Sequence, residues 1–430
     1  MARALMPQKG GLPLGLRLWR IFTAAASPFA SLLLARRAGR GKEDHDRLGE
    51  RLGVSRIARP GGRLIWIHGA SVGESLAALP LIETLQAGGN TVLVTSGTVT
   101  SAKILRQRLP PGAIHQFVPL DIPRAVTRFL DHWKPDAGLF VESDLWPNLI
   151  LEASARGVRL ALINARISEH SAKGWQRFPR SARRLIGAFD VVLAQDEEIA
   201  ARFAGLGAPH VRVVGSLKAD APPLGWDASA LESLKAQIGA RPLLIAAQTH
   251  PGEDETVLPA HDILRARFPD LLTILVPRHP ERGPAMAQLC GARKAARRAA
   301  GEQIGADTQV YIADTLGELG LFYRLASFCF IGGTLVALGG HNPLEPAVLH
   351  CAILAGPNRA SASKAYEAII KAQGFGDVVS SGDIARRAGQ LLSDPDMARK
   401  AGIAAAAGAA SQAGAVARTI AVLENLHARA

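Results

Sequence analysis

The residues best suited to bind a ligand lie in a glycine-rich segment between an apolar run and a predicted helix. The run 328–331 predicts a buried strand, two glycines follow it, and the segment 344–350 predicts the first turns of a helix. Asn342 suits the N-cap and Pro343 suits position N1. Bare N–H groups at such a turn suit an anion, whereas the Glu345 carboxylate suits a ribose diol. The segment therefore predicts a nucleotide-sugar site, and the alternative is an ordinary tight turn.

Ionisable side chains also follow three predicted strands in the first half of the chain. Glu74 opens a helix after small residues that include Ser71 and Gly73, which let a substrate approach the backbone. Glu142 and Lys218 each lie at the carboxyl end of another strand. A carboxylate there could act as a general base towards a hydroxyl, and a cation suits an acidic sugar or a phosphate leaving group. The alternatives are a helix-capping glutamate and a solvated lysine.

A basic turn in the second half has the composition of a phosphate site. Arg278 follows a predicted strand that ends at 276, and Pro277 and Pro280 fix the loop around it. Arginine binds phosphate with two parallel hydrogen bonds. The segment 248–253 likewise follows a predicted strand, the one before it in the chain. The segment 315–319 precedes a helix and on its own is only a weak indication of a site.

Short apolar runs alternate with helical stretches from residue 63 onward, which predicts an α/β fold with parallel sheets. We predict strands at 64–68, 91–96, 115–120, 137–142, 159–164, 191–195, 211–217, 243–247, 272–276, 309–313, 328–331 and 352–354. Predicted helices include 74–86, 124–133, 149–156 and 197–206. Proline and glycine at 221–225 suit a linker. We therefore expect an N-terminal segment 1–42, one Rossmann-like domain at 43–220, a linker at 221–240, and a second Rossmann-like domain with a helical tail at 241–430, with a ligand-binding cleft between the domains.

Composition limits the possible partners. A chain of 430 residues fits two domains of about 200 residues. The net charge of +13 and the pI near 10.2 imply a phosphorylated substrate, an anionic membrane or nucleic acid. Nucleic acid is disfavoured because the sequence has no nucleic-acid-binding motif. Cys290, Cys329 and Cys351 are scattered, which predicts buried free thiols in a reducing compartment and no zinc site.

The N-terminal segment predicts contact with a membrane. The clean apolar run 21–35 is shorter than the roughly 20 residues that span a bilayer, and it is followed by Arg36, Arg37, Arg40 and Lys42. A signal peptide is disfavoured, because the position of the cleavage site is basic. An interfacial helix and a short tilted anchor with a cytoplasmic basic flank both remain open. The alternative is a buried core helix.

Taken in order, these segments resemble the 3-deoxy-D-manno-octulosonic acid (Kdo) transferases of Gram-negative lipopolysaccharide synthesis. The stretches that carry the resemblance are 47–51, 71–74, 142–149, 164–168, 215–220, 249–253, 277–282 and 332–346. Their order and spacing match the family from about residue 12 to the late 350s. Eight stretches in register make a chance match untenable.

The resemblance implies a GT-B glycosyltransferase with two Rossmann-like domains, a CMP-Kdo donor, and the tetraacylated, bisphosphorylated disaccharide precursor of lipid A as acceptor. It implies inversion at the anomeric carbon, no metal, no cofactor and a place on the cytoplasmic side of the inner membrane. By the same resemblance Glu74 is the general base, and Glu142 and Lys218 stabilise the transition state. The implied CMP contacts are Pro277, Arg278, Gly317, Glu318, Leu319, Asn342, Pro343, Leu344 and Glu345.

The sequence departs from the family at one loop, and two other functions stay open. Residues 358–363 lack the histidine and the asparagine-phenylalanine pair that usually follow the Gly-Pro at 356–357. Asp144 stands where many members have a second glutamate. The first alternative is a GT-B enzyme for another nucleotide sugar, such as a UDP-sugar transferase or a UDP-N-acetylglucosamine 2-epimerase, although the basic N-terminus has no use in an epimerase. The second is a non-catalytic basic peripheral membrane protein, which leaves the acids and Arg278 unexplained.

Overall fold

The protein is described by a computed structural model that covers residues 11–427. The chain divides into two compact units. Unit 1 comprises residues up to Ala221 together with those from Gly414 onward, and unit 2 comprises Pro222–Ala413. Each unit is an α/β domain built around one seven-stranded sheet.

Unit 1 begins with two helices and then alternates strands with helices. Its strands are β1 Leu64–His68, β2 Thr91–Ser96, β3 Ile114–Phe117, β4 Ala137–Val141, β5 Arg159–Ala165, β6 Val191–Ala194 and β7 Val211–Val213. Its helices are α1 Leu14–Ala26, α2 Ala30–Ala38, α3 Leu48–Arg51, α4 Val72–Ala77, α5 Leu79–Ala87, α6 Val99–Arg108, α7 Pro123–Trp133, α8 Pro147–Ala155, α9 Glu169–Gln176, α10 Pro179–Ile186 and α11 Glu197–Gly205.

Unit 2 repeats this alternation. Its strands are β8 Leu243–Thr249, β9 Leu272–Pro277, β10 Ala295–Arg297, β11 Val310–Ile312, β12 Phe328–Ile331, β13 Ala352–Ala355 and β14 Phe375–Asp377. Its helices are α12 Ala228–Ile238, α13 Asp254–Arg265, α14 Gly283–Leu289, α15 Leu319–Tyr323, α16 Leu344–Ala347, α17 Ser363–Lys371, α18 Ser381–Ser393 and α19 Pro395–Ala410, and the last helix, α20 Ala415–His427, returns to unit 1.

The order of the strands identifies one special position in each sheet. All pairs are parallel, in the orders β3-β2-β1-β4-β5-β6-β7 and β10-β11-β9-β8-β12-β13-β14. The chain reverses its direction of winding between β1 and β4 in unit 1 and between β8 and β12 in unit 2. Doubly wound sheets bind ligands at the carboxyl ends of the strands beside such a switch point. The functional side chains are therefore expected after β1, β4, β8 and β12.

Buried apolar side chains hold both faces of each sheet. In unit 1, Trp66 and Phe140 of neighbouring strands pack edge to face, with ring centroids 5.0 Å apart and planes at 70°. The opposite face packs Ile65 and Ile67 against α5. Strands covered on both faces read as continuous apolar runs, which explains why the strands 64–68, 91–96 and 328–331 were predicted with correct bounds. The predicted α/β fold with two Rossmann-like domains is confirmed.

Several predicted elements differ from the structure. The predicted helix 74–86 is two helices, because Pro80 lacks the N–H that a continuous helix would need and stands in the first turn of α5. The predicted helix 344–350 ends at Ala347, and it begins at Leu344, so that Pro343 rather than Asn342 occupies the N-cap position. Two edge strands, β10 and β14, were not predicted.

The ends of the domains also differ from the prediction. Residues 228–238 of the predicted linker form α12, which buries Leu231, Leu234 and Ile238 in unit 2. The predicted C-terminal tail divides at Gly414, whose φ of +92° breaks the helical path. The carboxylate of Asp220 accepts the N–H groups of Gly414 and Val416, and this cap anchors α20 on unit 1.

Candidate active site

Glu74 lies after β1, where the switch point of unit 1 predicts function. Ser71 Oγ accepts the N–H of Glu74 at 3.3 Å, and Glu74 Oε2 accepts the N–H groups of Ala70 at 2.7 Å and Ser71 at 3.3 Å. This is a capping box, so the alternative role as a helix-capping glutamate is real. The capping hydrogen bonds use only Oε2 of Glu74, and no described residue donates to Oε1. Gly73 is exposed, with open space where a Cβ would stand.

The surroundings of Glu74 favour its protonated form. Burial raises the pKa of Glu74, and the nearby charges of Glu142 and Asp144 raise it further, while hydrogen bonds with Ser71 oppose the shift. A carboxyl with a raised pKa is a better proton acceptor once it is ionised. The chemistry of a general base is therefore available at this position.

Glu142 and Lys218 form an ion pair in the same unit. Lys218 Nζ donates to Glu142 Oε1 at 3.0 Å, and both side chains are partly exposed. Glu142 has φ +62° and Asn164, near the end of the next strand, has φ +48°, both in the left-handed region. Such backbone strain in non-glycine residues concentrates at functional sites. Asn164 Oδ1 accepts the N–H of Leu217, which fixes the segment that carries Lys218.

A buried histidine fixes the loop after β4. His68 Nε2 lies 2.8 Å from Asp144 Oδ2, and His68 Nδ1 lies 2.9 Å from Thr95 Oγ1. Burial works against ionisation of Asp144, but the hydrogen bond to His68, the electrostatic interaction with His68 and a hydrogen bond with Trp146 together outweigh it and lower the pKa of Asp144. Asp144 is thus bonded to His68 and does not cap α8. That cap is Asp121, which accepts the N–H groups at the start of α8.

In unit 2 the glycine-rich turn already holds an anion from the protein itself. Glu253 is fully buried, and its two oxygens accept the N–H groups of Gly333, Thr334 and Leu335 at 2.7–3.0 Å and that of His250 at 3.0 Å. The expectation that the N–H groups of this turn are bare for a ligand is wrong for these three. The turn is instead a rigid support for the residues that follow it.

The segment 342–345, which follows the turn, is held by side-chain contacts. Asn342 Oδ1 accepts the N–H of Leu344 at 3.1 Å, so Asn342 satisfies the first turn of α16 although it precedes the N-cap position of Pro343. Glu345 Oε2 accepts from Gln248 Nε2 at 3.2 Å. Gln248 has φ +59° at the end of β8. The switch point of unit 2 thus brings Glu345 next to Gln248, whose backbone is also strained.

Arg278 stands beside a pair of histidines. Its backbone N–H is bonded to Thr249 O, and its exposed guanidinium has no protein partner within residues 11–427. Pro277, before it, is buried at the end of β9. His250 Nε2 and His341 Nε2 lie 2.8 Å apart. Burial lowers the pKa of His341 to about 4, and His250, Arg278 and His279 add to this effect.

Glu318, in the segment 317–319, lines an open cavity of about 290 Å³. Gly317 is exposed with φ +84°, and Leu319 begins α15. Arg298 Nε donates to Glu318 Oε2 at 2.6 Å, and this bond, although burial works against ionisation, lowers the pKa of Glu318. The cavity is lined by Arg298, Gly301, Glu302, Gln303, Tyr311, Thr315 and Glu318.

The loop that departs from the family pattern packs against the glycine-rich turn. Ser361 N donates to Gly339 O at 2.7 Å, and Asn358 N donates to Thr334 O at 3.0 Å. Arg359 pairs with Asp377 at 2.6 Å and lies over the ring of Phe375. These contacts give the loop a structural role in unit 2.

The N-terminal helices combine a packed face with an apolar exposed face. Trp19 Nε1 donates to Asp121 at 2.8 Å, and Asn148 donates to Thr23 at 3.0 Å, so α1 is attached to unit 1. The stretch Leu14–Ala38 contains an 18-residue window with a mean hydropathy of 1.4, and it is long enough to cross a membrane. Its large apolar side chains that are more than half exposed are Leu14, Leu18, Ile21, Phe22, Phe29, Leu32 and Leu33. The alternative of a buried core helix is therefore wrong for this face, and residues 1–10 lie outside the described part.

The three free thiols are confirmed as buried, and no group of metal-binding side chains was found within residues 11–427. Sequence reasoning missed the paired partners His68 with Asp144 and His250 with His341. The segments were noted, but their pairings depend on which strands are neighbours.

Comparison with known proteins bears on the family to which the chain belongs. A sequence profile of the family described as 3-deoxy-D-manno-octulosonic-acid transferase (kdotransferase) matches residues 46–221. The 3-deoxy-D-manno-octulosonic acid transferase of Rickettsia bellii is 33% identical over 389 residues, 90% of this chain and 92% of that protein. A probable mitochondrial transferase of the same name from Arabidopsis thaliana is 36% identical over 353 residues, 79% of each chain.

Among solved structures, a putative UDP-N-acetylglucosamine 2-epimerase from Listeria monocytogenes has a TM-score of 0.59 at 15% identity and covers 86% of this chain and 98% of that one. At this identity the likeness shows the fold alone. The identity to the transferases over most of both chains shows the family. The chain therefore belongs to the 3-deoxy-D-manno-octulosonic acid transferases.

Proposed function

We propose that the protein transfers Kdo, with inversion, from CMP-Kdo to the tetraacylated, bisphosphorylated disaccharide precursor of lipid A. Membership of the family supports the class of reaction, the transfer of Kdo. The observation that carries the mechanism is Glu74, a carboxyl at the switch point of unit 1 whose pKa is raised by burial and which keeps one oxygen without a described partner.

Glu74 takes the proton of the acceptor hydroxyl as that oxygen attacks the anomeric carbon of Kdo. Direct displacement by one base gives inversion and needs no covalent sugar intermediate. Lys218, held 3.0 Å from Glu142, offers a positive charge to the carboxylate of Kdo or to the departing phosphate. The ion pair keeps the lysine in one place until the substrate competes for it.

Unit 2 binds the nucleotide in this proposal. Arg278 pairs with the single phosphate of the donor, since its guanidinium is exposed at the end of β9 and has no described partner. Glu345, beside the strained Gln248, accepts hydrogen bonds from the ribose hydroxyls. The backbone of 317–319 contacts the base, while Arg298 keeps the Glu318 carboxylate ionised and in place.

The exposed apolar face of α1 and α2 places the enzyme on the membrane that holds its lipid acceptor. Arg17, Arg20 and Arg36 lie on the same two helices, and cations there favour anionic lipid. The proposal puts this face on the cytoplasmic side of the inner membrane. The helices lie in the interface, because Trp19 and Thr23 bond one side of α1 to unit 1.

The test is transfer by the purified full-length protein. We expect CMP-Kdo and the lipid A precursor in detergent micelles to give a product heavier by whole Kdo units, as measured by mass spectrometry. UDP-N-acetylglucosamine supplied as the only sugar nucleotide should give neither transfer nor epimerisation. Epimerisation would support the alternative of a UDP-N-acetylglucosamine 2-epimerase, and binding of CMP without any turnover would support a non-catalytic protein.

A further inference from the structure

Two histidines of unit 2 are ionisable groups that the proposed mechanism does not use. His250 follows β8 and His341 follows the glycine-rich turn, so both stand at the switch point. Their Nε2 atoms are 2.8 Å apart and the ring planes differ by 8°, which is the geometry of an N–H···N hydrogen bond between two rings that meet edge to edge. One ring donates and the other accepts, so one proton is shared between them.

Both rings are held in place by the surrounding backbone. The N–H of His250 donates to the buried carboxylate of Glu253 at 3.0 Å. The carbonyl oxygen of His341 accepts from Tyr366 Oη at 2.8 Å, and its N–H donates to Gly332 O at 3.2 Å. In the described part of the chain the two imidazoles make only the one hydrogen bond to each other, so each Nδ1 is available to a ligand.

The charges that face the pair are mostly positive. Burial lowers the pKa of His250; Glu253 opposes this, and His279, Arg282 and Arg278 add to it. Burial also lowers the pKa of His341, to about 4, with the same sign from Arg278 and His279. Arg282 is itself paired with the buried Asp254. At neutral pH the pair therefore carries no extra proton until a negative group arrives.

A bound phosphate reverses this balance, because an anion close to an imidazole favours its charged form. A hydrogen-bonded imidazole pair can accept one extra proton and keep its N–H···N bond, whereas a second proton would break that bond. The N–H groups of residues 333–335 cannot help the phosphate, since Glu253 occupies them. Side chains must therefore supply the positive charge at this edge of the sheet.

We propose that the His250–His341 pair takes up one proton when the donor phosphate binds and gives it to the phosphate oxygen that is released as CMP leaves. The inference rests on the proposed function and adds the group that balances the charge on the leaving group, CMP. Glu74 acts on the acceptor, and the histidine pair acts on the nucleotide.

The step is balanced in atoms and charge. The acceptor oxygen bonds to the anomeric carbon of Kdo, and its proton passes to Glu74. The bond between the anomeric carbon and the phosphate oxygen breaks, and both electrons stay on that oxygen. The pair donates its extra proton there, so that CMP leaves as a monoanion and the pair returns to its neutral form. A phosphate monoester loses its second proton near pH 6, so CMP releases this proton to water at neutral pH.

The experiment measures protons taken up when CMP binds to the full-length protein. Calorimetric titrations at pH 7.5 in two buffers of different ionisation enthalpy give that number directly. We expect an uptake approaching one proton per CMP in the wild type, and little uptake in either His250→Gln or His341→Gln. His279→Gln is the matched control, because His279 is a neighbouring histidine that is not hydrogen-bonded to the pair, and it should keep the uptake.

Turnover provides a second measurement. In His341→Gln and His250→Gln we expect kcat to fall about 10²–10⁴-fold, as for the loss of a general acid. The alkaline limb of the kcat–pH profile, which reports loss of the pair's proton, should disappear in both. A merely structural role would lower kcat and leave that limb where it is.

The outcomes separate the two proposals. A wild type that binds CMP and transfers Kdo without proton uptake overturns this inference and leaves the proposed function standing. Uptake that persists unchanged in both glutamine variants also overturns it, since another group then takes the proton. A protein that does not bind CMP at all overturns both.

Discussion

Glu253→Gln tests whether one buried carboxylate holds the glycine-rich turn of unit 2. The carboxylate accepts four N–H groups, from His250, Gly333, Thr334 and Leu335, and none of its surface is exposed. Glutamine keeps one acceptor oxygen and replaces the other with an NH₂ group. That NH₂ would face two N–H donors, because each carboxylate oxygen accepts two of the four bonds.

The expected loss follows from these contacts. Hydrogen bonds to a charged group contribute about 1.5–3 kcal/mol each, so losing two costs about 3–6 kcal/mol. That is a large share of the roughly 5–15 kcal/mol that stabilises a typical domain. For a domain of this size each kcal/mol moves the midpoint by about 2–4 °C, so the transition of unit 2 should fall by about 6–24 °C.

Scanning calorimetry and hydrogen exchange measure this loss and its location. The amides of residues 333–335 should exchange faster in Glu253→Gln than in the wild type. Glu255→Gln is the matched control, since this exposed carboxylate near the start of the same helix accepts one N–H, from Gly252 at 2.7 Å, and surface changes usually stay within about 0.5 kcal/mol. Equal midpoints and equal exchange in the two variants would show that Glu253 does not hold the turn.

Four further predictions concern the chemistry and the membrane. Glu74→Gln should lower kcat about 10²–10⁴-fold while CMP affinity, measured by calorimetry, stays the same, because the proposed nucleotide site is in unit 2; a loss under tenfold would remove Glu74 from the mechanism. Arg278→Ala should weaken CMP binding by about 1.5–3 kcal/mol, and unchanged affinity would place this arginine outside the phosphate site. Asp144→Asn removes a negative charge that raises the pKa of Glu74; since the base must be ionised, the acid limb of the activity profile should move to lower pH, and an unmoved limb would contradict the assignment. Replacing Phe22 and Phe29, which are 66% and 68% exposed, with serine should reduce co-sedimentation with anionic vesicles without lowering the unfolding midpoint; undiminished sedimentation would show that this face does not bind lipid.

The sequence predicted those elements that are buried on both sides. The strand Phe328–Ile331 is a continuous apolar run because helices cover both faces of its sheet, and its bounds are as predicted. The strands Ala295–Arg297 and Phe375–Asp377 escaped prediction, since each has three residues, lies at a sheet edge and contains polar side chains. A short edge strand is defined by the partner beside it, which no local pattern contains.

The candidate site was predicted as a set of segments and not as a set of contacts. Chain order and parallel pairing place the ends of neighbouring strands together, so Glu74 and Glu142 could be assigned to one edge of a sheet in advance. The partners of these segments could not. His68 and Asp144 are 76 residues apart and meet only because β1 and β4 are neighbours, and the histidine pair of unit 2 spans 91 residues in the same way.

The two glutamates at the switch points show why contacts decide between structure and chemistry. Glu74 lies in the first turn of α4 and Glu253 directly precedes α13; each follows a strand and accepts backbone N–H groups, so their positions favour the same capping role. Glu253 is fully buried with four donors on its two oxygens, which leaves it nothing to offer a substrate. Glu74 binds its two donors through Oε2 alone, remains partly exposed, and has its pKa raised by burial and by the nearby charges of Glu142 and Asp144. Of the two carboxyls, only Glu74 can therefore exchange a proton with a ligand.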